Sequence, residues 1–153
     1  MTKTAQSIYD EAVLGATICY SDGTPRPPDR FKRKLRAWEA RNGRGRLTRR
    51  SPGSRGSRPY PATFTLHEGN YGSEGVIILS VNRIFSVADE RAFEIVDVPS
   101  PGAALVLHRW SDEPELLHVA ADRAAAESWR DRHGYPNAYI EIVGEAESVT
   151  KVA

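Results

Sequence analysis

The sheet-forming character of this chain is clearest in VIILSVNRIFSV, from Val76 to Val87, which includes most of its longest strongly apolar run. β-Branched and aromatic residues in continuous or alternating order are typical of strands. Further runs of this kind lie at Tyr60 to Leu66, Ala92 to Val98, Leu105 to Trp110 and, more briefly, Leu116 to Val119. Turn-forming residues separate them at Glu68-Gly69-Asn70, Asp89-Glu90 and Pro99 to Gly102. This order predicts an antiparallel meander.

The flanking sequence adds strands and a helix to this meander. Ala12 to Tyr20 predicts a first strand that ends at a Ser-Asp-Gly turn, and Tyr139 to Val143 predicts a last one. Asp122 is a suitable N-cap for a helix that runs to about Arg132 and ends before Gly134. We therefore predict a single α+β domain over residues 1–153, with a mostly antiparallel sheet of five to seven strands covered by one or two helices.

The charge of the chain is strongly divided. Thirteen of its 21 Lys and Arg residues lie between Arg26 and Arg58, together with two acids, so this segment has a net charge of +11. The other 120 residues hold 8 basic and 18 acidic side chains, a net charge of −10. A dense positive patch on a body of opposite sign attracts a phosphate backbone or an acidic protein surface.

Within residues 26–59 the sequence predicts a basic helix followed by a flexible arm. Pro27 and Pro28 suit a helix start, Asn42-Gly43 suits its end, and the spacing of the apolar stripe of Phe31, Leu35 and Trp38 predicts that the helix packs on the sheet. Gly43 to Pro59 contains Gly, Ser, Pro and Arg with a single Leu. Such a composition predicts a mobile loop in the free protein.

These features favour a small non-enzymatic protein that binds nucleic acid, DNA or RNA, through phosphate contacts. Arginine predominates over lysine, and its planar fork binds phosphate in a bidentate manner. The sheet would serve as a scaffold or as the surface of a homodimer. The predicted nucleic-acid-binding residues are Arg30, Lys32, Arg33, Lys34, Arg36, Arg41, Arg44, Arg46, Arg49, Arg50, Arg55 and Arg58.

Two other hypotheses remain open. The basic arm would also suit an interaction or inhibitor protein that docks on an acidic protein or a nucleoprotein assembly. A third, less favoured hypothesis is an enzyme acting on a phosphorylated substrate, with His67 and Glu68 as one acid/base pair and His108 meeting His118 across a strand hairpin.

No motif identifies a cofactor, metal or catalytic residue. The spacing of His67, His108, His118 and His133 does not match a zinc site, and HEGNYGSEG lacks the Lys-Ser/Thr of a P-loop, so its glycines predict a hairpin turn. Cys19 is the only cysteine, which excludes an internal disulfide. With no apolar run long enough for a bilayer and no apolar signal core, we expect a cytoplasmic protein that does not bind membranes.

Overall fold

The computed structural model describes residues 2–73, 76–109 and 113–144. The fold is α+β, as predicted, and the described residues form three helices and eight antiparallel strands, one strand more than the upper limit predicted from sequence. The elements are α1 (Ala5–Glu11), β1 (Thr17–Ser21), α2 (Lys32–Arg41), β2 (Gly43–Ser51), β3 (Thr63–Ser73), β4 (Val76–Ser86), β5 (Ala92–Asp97), β6 (Ala104–Arg109), β7 (Pro114–Ala120), α3 (Arg123–His133) and β8 (Tyr139–Ile142).

Strand β2 joins the two halves of the sheet. Along one edge it pairs with β3, which pairs with β4. Along the other edge its first half pairs with β1, and β1 pairs with β5. Further along the same edge Arg49 pairs with Glu115 of β7, which leads to β6 and β8. The branching of the sheet at β2 places residues of β2, β3 and β4 opposite β7.

The first core lies between α1 and the β1–β5 part of the sheet. Phe85 stacks on Phe64 with ring centroids 5.5 Å apart, and the edge of Phe93 meets Phe64 at 5.6 Å. Ile8 of α1 and Leu47 of β2 are fully buried in the same cluster. Offset and edge-to-face packing at such distances is favourable for aromatic rings. This cluster fixes the inner face of β2 and β3 and so leaves their other face outward.

The second core lies where α3 covers β6, β7 and β8. Asp122 caps α3 by accepting from the Ala125 amide at 2.8 Å, and Gly134 ends it in the left-handed conformation at φ 71°. Ala126 packs on Val106 and Ala138 in a buried cluster. Both caps were predicted from the sequence, and they place Trp129 and His133 over β7.

The prediction of a mobile loop from Gly43 to Pro59 is wrong for its first nine residues, because Gly43–Ser51 is strand β2. Leu47 is fully buried, its amide donates to Ala16 O at 2.8 Å, and its carbonyl accepts from the Gly15 amide at 2.8 Å. A Cβ on buried Gly45 would lie 2.9 Å from Leu66 Cβ. Neighbouring strands therefore order this segment through its backbone, which the side-chain composition does not reveal.

The predicted packing of the Phe31, Leu35 and Trp38 stripe on the sheet is also wrong. Helix α2 has no buried residue, and Phe31 is 42% exposed. The helix begins at Lys32, after Phe31 as its N-cap, so the two prolines stand before the helix rather than inside its first turn. A narrow apolar stripe predicts a contact but not its partner, and here Trp38 turns to the preceding loop.

Three local boundaries differ from those predicted. The first helix, α1, occupies Ala5–Glu11, and the strand expected from Ala12 begins only at Thr17. Glu68, Gly69 and Asn70 do not form a turn but lie within β3, where the register shifts between His67 and Gly69. The strand predicted from Leu105 to Trp110 ends at a residue that lies outside the described ranges. No helix in the described ranges has the length and apolar character needed to span a bilayer.

Candidate nucleic-acid interface

Helix α2 presents a surface of exposed positive charge. The exposed cations of this surface are the five of the helix and Arg30, which lies directly before the N-cap: Arg30, Lys32, Arg33, Lys34, Arg36 and Arg41. Glu39 is the one acid within α2, and no ion pair joins these six cations to an acid among the residues that the structure describes. Arg30 and Lys34 lie 4.8 and 5.3 Å from the centre of the exposed Phe31 ring. The predicted helical cations thus form one solvent-facing group.

The C-terminal end of α2 is fastened to the preceding loop by side-chain hydrogen bonds. Trp38 Nε1 donates to Thr24 O at 2.9 Å. The side chain of buried Asn42 donates to Trp38 O at 2.9 Å and accepts from the Asp22 amide at 3.0 Å. Hydrogen bonds from Thr24 keep the pKa of Asp22 below its ordinary value. These contacts fix the position of a helix that contributes nothing to the core.

A second set of contacts connects α2 to the sheet. Arg83 of β4 donates to Ala40 O, and its Nε lies 3.3 Å from Glu68 Oε2. The same carboxylate accepts the hydroxyl of Tyr20, whose pKa is raised first by burial and then by this hydrogen bond. The register shift in β3 at Glu68 therefore has a structural consequence. It places this carboxylate between Tyr20 and Arg83, among the contacts that connect α2 to the sheet.

The arginines of β2 divide between the two faces of the sheet. Arg44 and Arg46 are exposed on the outer face, on either side of buried Gly45. Arg49 lies 3.8 Å from Glu115. Arg50 donates to Tyr9 O at 2.9 Å, and burial lowers its pKa. Arg50 therefore has a structural partner in the backbone of α1.

The last two predicted arginines lie in the segment that connects β2 to β3. Arg55 and Arg58 are exposed there, and Ser54 and Tyr60 form an isolated β-bridge that closes the segment. Tyr60 is 60% exposed. These arginines extend the positive surface at the end of β2 opposite to α2.

A cleft of about 740 Å³ opens on the outer face of β2, β3 and β4. Its floor contains a cross-strand row in which Arg46 lies opposite His67 and His67 lies opposite Asn82. Directly opposite residues on one sheet face have Cβ atoms about 4.5–5.5 Å apart, so three polar side chains meet here. The cleft wall is formed by β7 and α3.

The wall carries a cluster of parallel rings around Trp129. Its ring centroid lies 4.7 Å from that of His118, 4.2 Å from that of His133 and 5.7 Å from that of Tyr135. His133 Nδ1 lies 2.9 Å from Trp129 O. Burial lowers the pKa of His118, and the nearby positive charges of His133 and Arg46 lower it further.

Sequence reasoning missed this cleft, although it singled out several of its residues. The predicted β6–β7 hairpin is confirmed, but His118 lies opposite Val106 and His108 opposite Glu115, so the two histidines do not pair. Instead His67, His118 and His133 line the same cleft. The described residues contain no group of three His, Cys, Asp or Glu side chains suited to a metal ion.

The comparisons with known proteins identify a family. The structure defines a small α+β protein with a branched antiparallel sheet and an exposed basic helix. The chain belongs to the family described as "Uncharacterised conserved protein UCP036055", whose model matches residues 3–147. No curated protein and no solved structure matches the chain.

Proposed function

We propose that this protein is a non-enzymatic nucleic-acid-binding protein that contacts the phosphate backbone through α2 and the outer face of β2. The observation that carries the proposal is the state of α2. Arg30 and the five cations of the helix are all exposed, and the helix has no buried residue. Core packing therefore does not account for the charge pattern of this helix.

The local energetics of α2 favour an anionic partner. Lys32, Arg33 and Lys34 occupy the first turn, where the positive end of the helix dipole repels cations. The N-cap residue, Phe31, makes no side-chain capping hydrogen bond. Phosphate groups near this end would neutralise the cations and accept from the free amides of the first turn. A bound polyanion would thus stabilise this helix, because it would offset the unfavourable interaction of the first-turn cations with the helix dipole.

The aromatic residues beside these charges suit nucleic acid rather than a simple anion. Phe31 lies exposed between Arg30 and Lys34, so a phosphate contact from either cation brings bases close to its ring. Base–aromatic stacking contributes roughly 1–3 kcal/mol per base. Arg44 and Arg46 continue the positive surface along β2, which begins two residues after α2 ends.

The test is removal of the α2 charges without loss of the helix. Replacing Lys32, Arg33, Lys34 and Arg36 by Gln keeps good helix-forming residues and leaves the Trp38 and Arg83 anchors intact. We expect the affinity for duplex DNA, single strands or structured RNA to fall by about 100-fold or more in low salt. Replacing Arg109 and Arg123, which lie in the other half of the chain, is the control and should change affinity far less per charge removed.

Two results would count against the proposed phosphate contacts of α2. An equal loss per charge in both variants would show that net charge alone attracts the nucleic acid. No binding by the unmodified protein to any of the three nucleic acids in about 50 mM salt would contradict the proposed function. Binding to an acidic protein under the same conditions would then favour the interaction-protein hypothesis.

A further inference from the structure

The cleft above β2, β3 and β4 is lined by two kinds of side chain, polar groups on its floor and aromatic rings on its wall. Its floor offers the Arg46 guanidinium and the Asn82 amide on either side of His67. Its wall offers the ring cluster of Trp129 and His133. Cations and amides bind phosphate, whereas aromatic rings stack on a planar base.

The charge of the lining also favours an anion. Glu115 is the one acid among the described lining residues, and Arg49 lies 3.8 Å from it. Arg46 is exposed, and no ion pair with an acid is found for it within the described residues. The lining therefore has an excess of positive charge on the side of the cross-strand row.

We propose that this cleft binds one nucleotide unit, with its phosphate on the Arg46–His67–Asn82 row and its base against the ring cluster of Trp129, His133 and Tyr135. The proposal rests on the function proposed above and adds a site for an unpaired nucleotide to the phosphate-binding surface. The cleft volume of about 740 Å³ lies within the range of about 300–1,000 Å³ for small-ligand sites.

The position of the row connects it to the basic helix. Arg44 and Arg46 lie on the same outer face of β2, about 7 Å apart along the strand. Arg44 is the one nearer to α2, because β2 follows this helix directly. A single strand held by α2 and Arg44 would therefore reach the cleft within a few nucleotides.

The first experiment measures calorimetrically the binding of AMP, ribose 5-phosphate and inorganic phosphate to the full chain. We expect AMP to bind most tightly, because it alone offers both phosphate and base. Replacing Arg46 by Gln should weaken AMP binding by about tenfold or more, as expected for the loss of a charged hydrogen bond. Asn82→Ala changes an exposed residue of the same row and should weaken binding by about threefold or more, even if Arg46→Gln fails to fold.

The second experiment separates the cleft from the helix and a free nucleotide from a strand. The α2 variant with four Gln substitutions should lose affinity for a single-stranded oligonucleotide but keep its affinity for AMP. Arg46→Gln should also weaken oligonucleotide binding, and excess AMP should compete with the part of this binding that depends on the cleft. If AMP binds but does not compete, the cleft takes a free nucleotide and the proposed link to the strand is wrong.

Three results would overturn the nucleotide site. These are AMP binding no tighter than inorganic phosphate, AMP binding unchanged in both Arg46→Gln and Asn82→Ala, or no AMP binding at millimolar concentration. If oligonucleotide binding still depends on α2 in any of these cases, the proposed function stands and the cleft assignment fails. If oligonucleotide binding does not depend on α2 but AMP still binds in the cleft, the cleft assignment stands and the proposed function of α2 fails.

Discussion

Replacing Leu47 by Ala tests whether the arginine-rich segment of the chain is a core strand. Leu47 is fully buried in the cluster with Phe64 and Leu66, and its amide and carbonyl both bond to the segment before β1. The substitution removes three carbon atoms at about 0.8 kcal/mol each, or about 2.4 kcal/mol of transfer free energy. The residual cavity adds to this loss, so we expect a decrease of about 2.5–5 kcal/mol in the free energy of unfolding.

The assay is denaturant unfolding followed by circular dichroism and fluorescence, with Arg44→Ala as the matched control. Arg44 lies on the exposed face of the same strand, so its replacement should change the free energy of unfolding by about 0.5 kcal/mol or less. If Leu47→Ala cost no more than this control, residues 43–51 would behave as a mobile arm and the assignment of β2 to the core would be refuted.

Two other changes probe the anchor of α2 and the cleft. Trp38→Ala should lower the free energy of unfolding by about 1–2 kcal/mol. The loss is modest because the partly buried ring makes one hydrogen bond to Thr24 and α2 contains no core residue. A loss above about 3 kcal/mol, as for a core tryptophan, would contradict this expectation. The pKa of His118 is lowered from 6.5 in the folded protein, so the unfolded chain binds a proton at His118 more readily. The free energy of unfolding therefore decreases as the pH falls below about 6.5, and this decrease levels off below the pKa of His118 in the folded state. Unfolding measured between about pH 7.5 and 5 should show a smaller loss for His118→Gln, and an equal loss would contradict the assignment.

Elements with local signals were predicted well from the sequence. Helix α3 begins after the Asp122 cap and ends at Gly134, because both caps are specified by residues next to the helix. The apolar runs of β4, β5 and β6 likewise identified those strands to within one or two residues at the described ends. Caps and apolar runs act over a few residues, so a single sequence reveals them.

Elements that depend on distant partners were not predicted. The backbone of β2 is ordered by β1, β3 and β7, and its one buried leucine carries too little pattern to reveal this. The candidate cleft has the same origin. Arg46 meets His67 only through the β2–β3 register, and His133 approaches His118 only through the packing of α3. The basic helix, by contrast, was predicted because its signals are local: the prolines before it, Asn42-Gly43 after it and the spacing of its apolar residues.

The most direct measurement of the central claim is the salt dependence of nucleic-acid affinity for the unmodified protein. Six phosphate contacts, one for Arg30 and one for each of the five cations of α2, correspond to a slope of log K against log salt of about −5. Fluorescence anisotropy between about 50 and 200 mM salt should therefore show an affinity loss of about 1,000-fold. In the α2 variant with four Gln substitutions the slope should become shallower by about 3–4. A slope near zero, or one that is unchanged in this variant, would contradict the claim that the exposed helix binds the phosphate backbone.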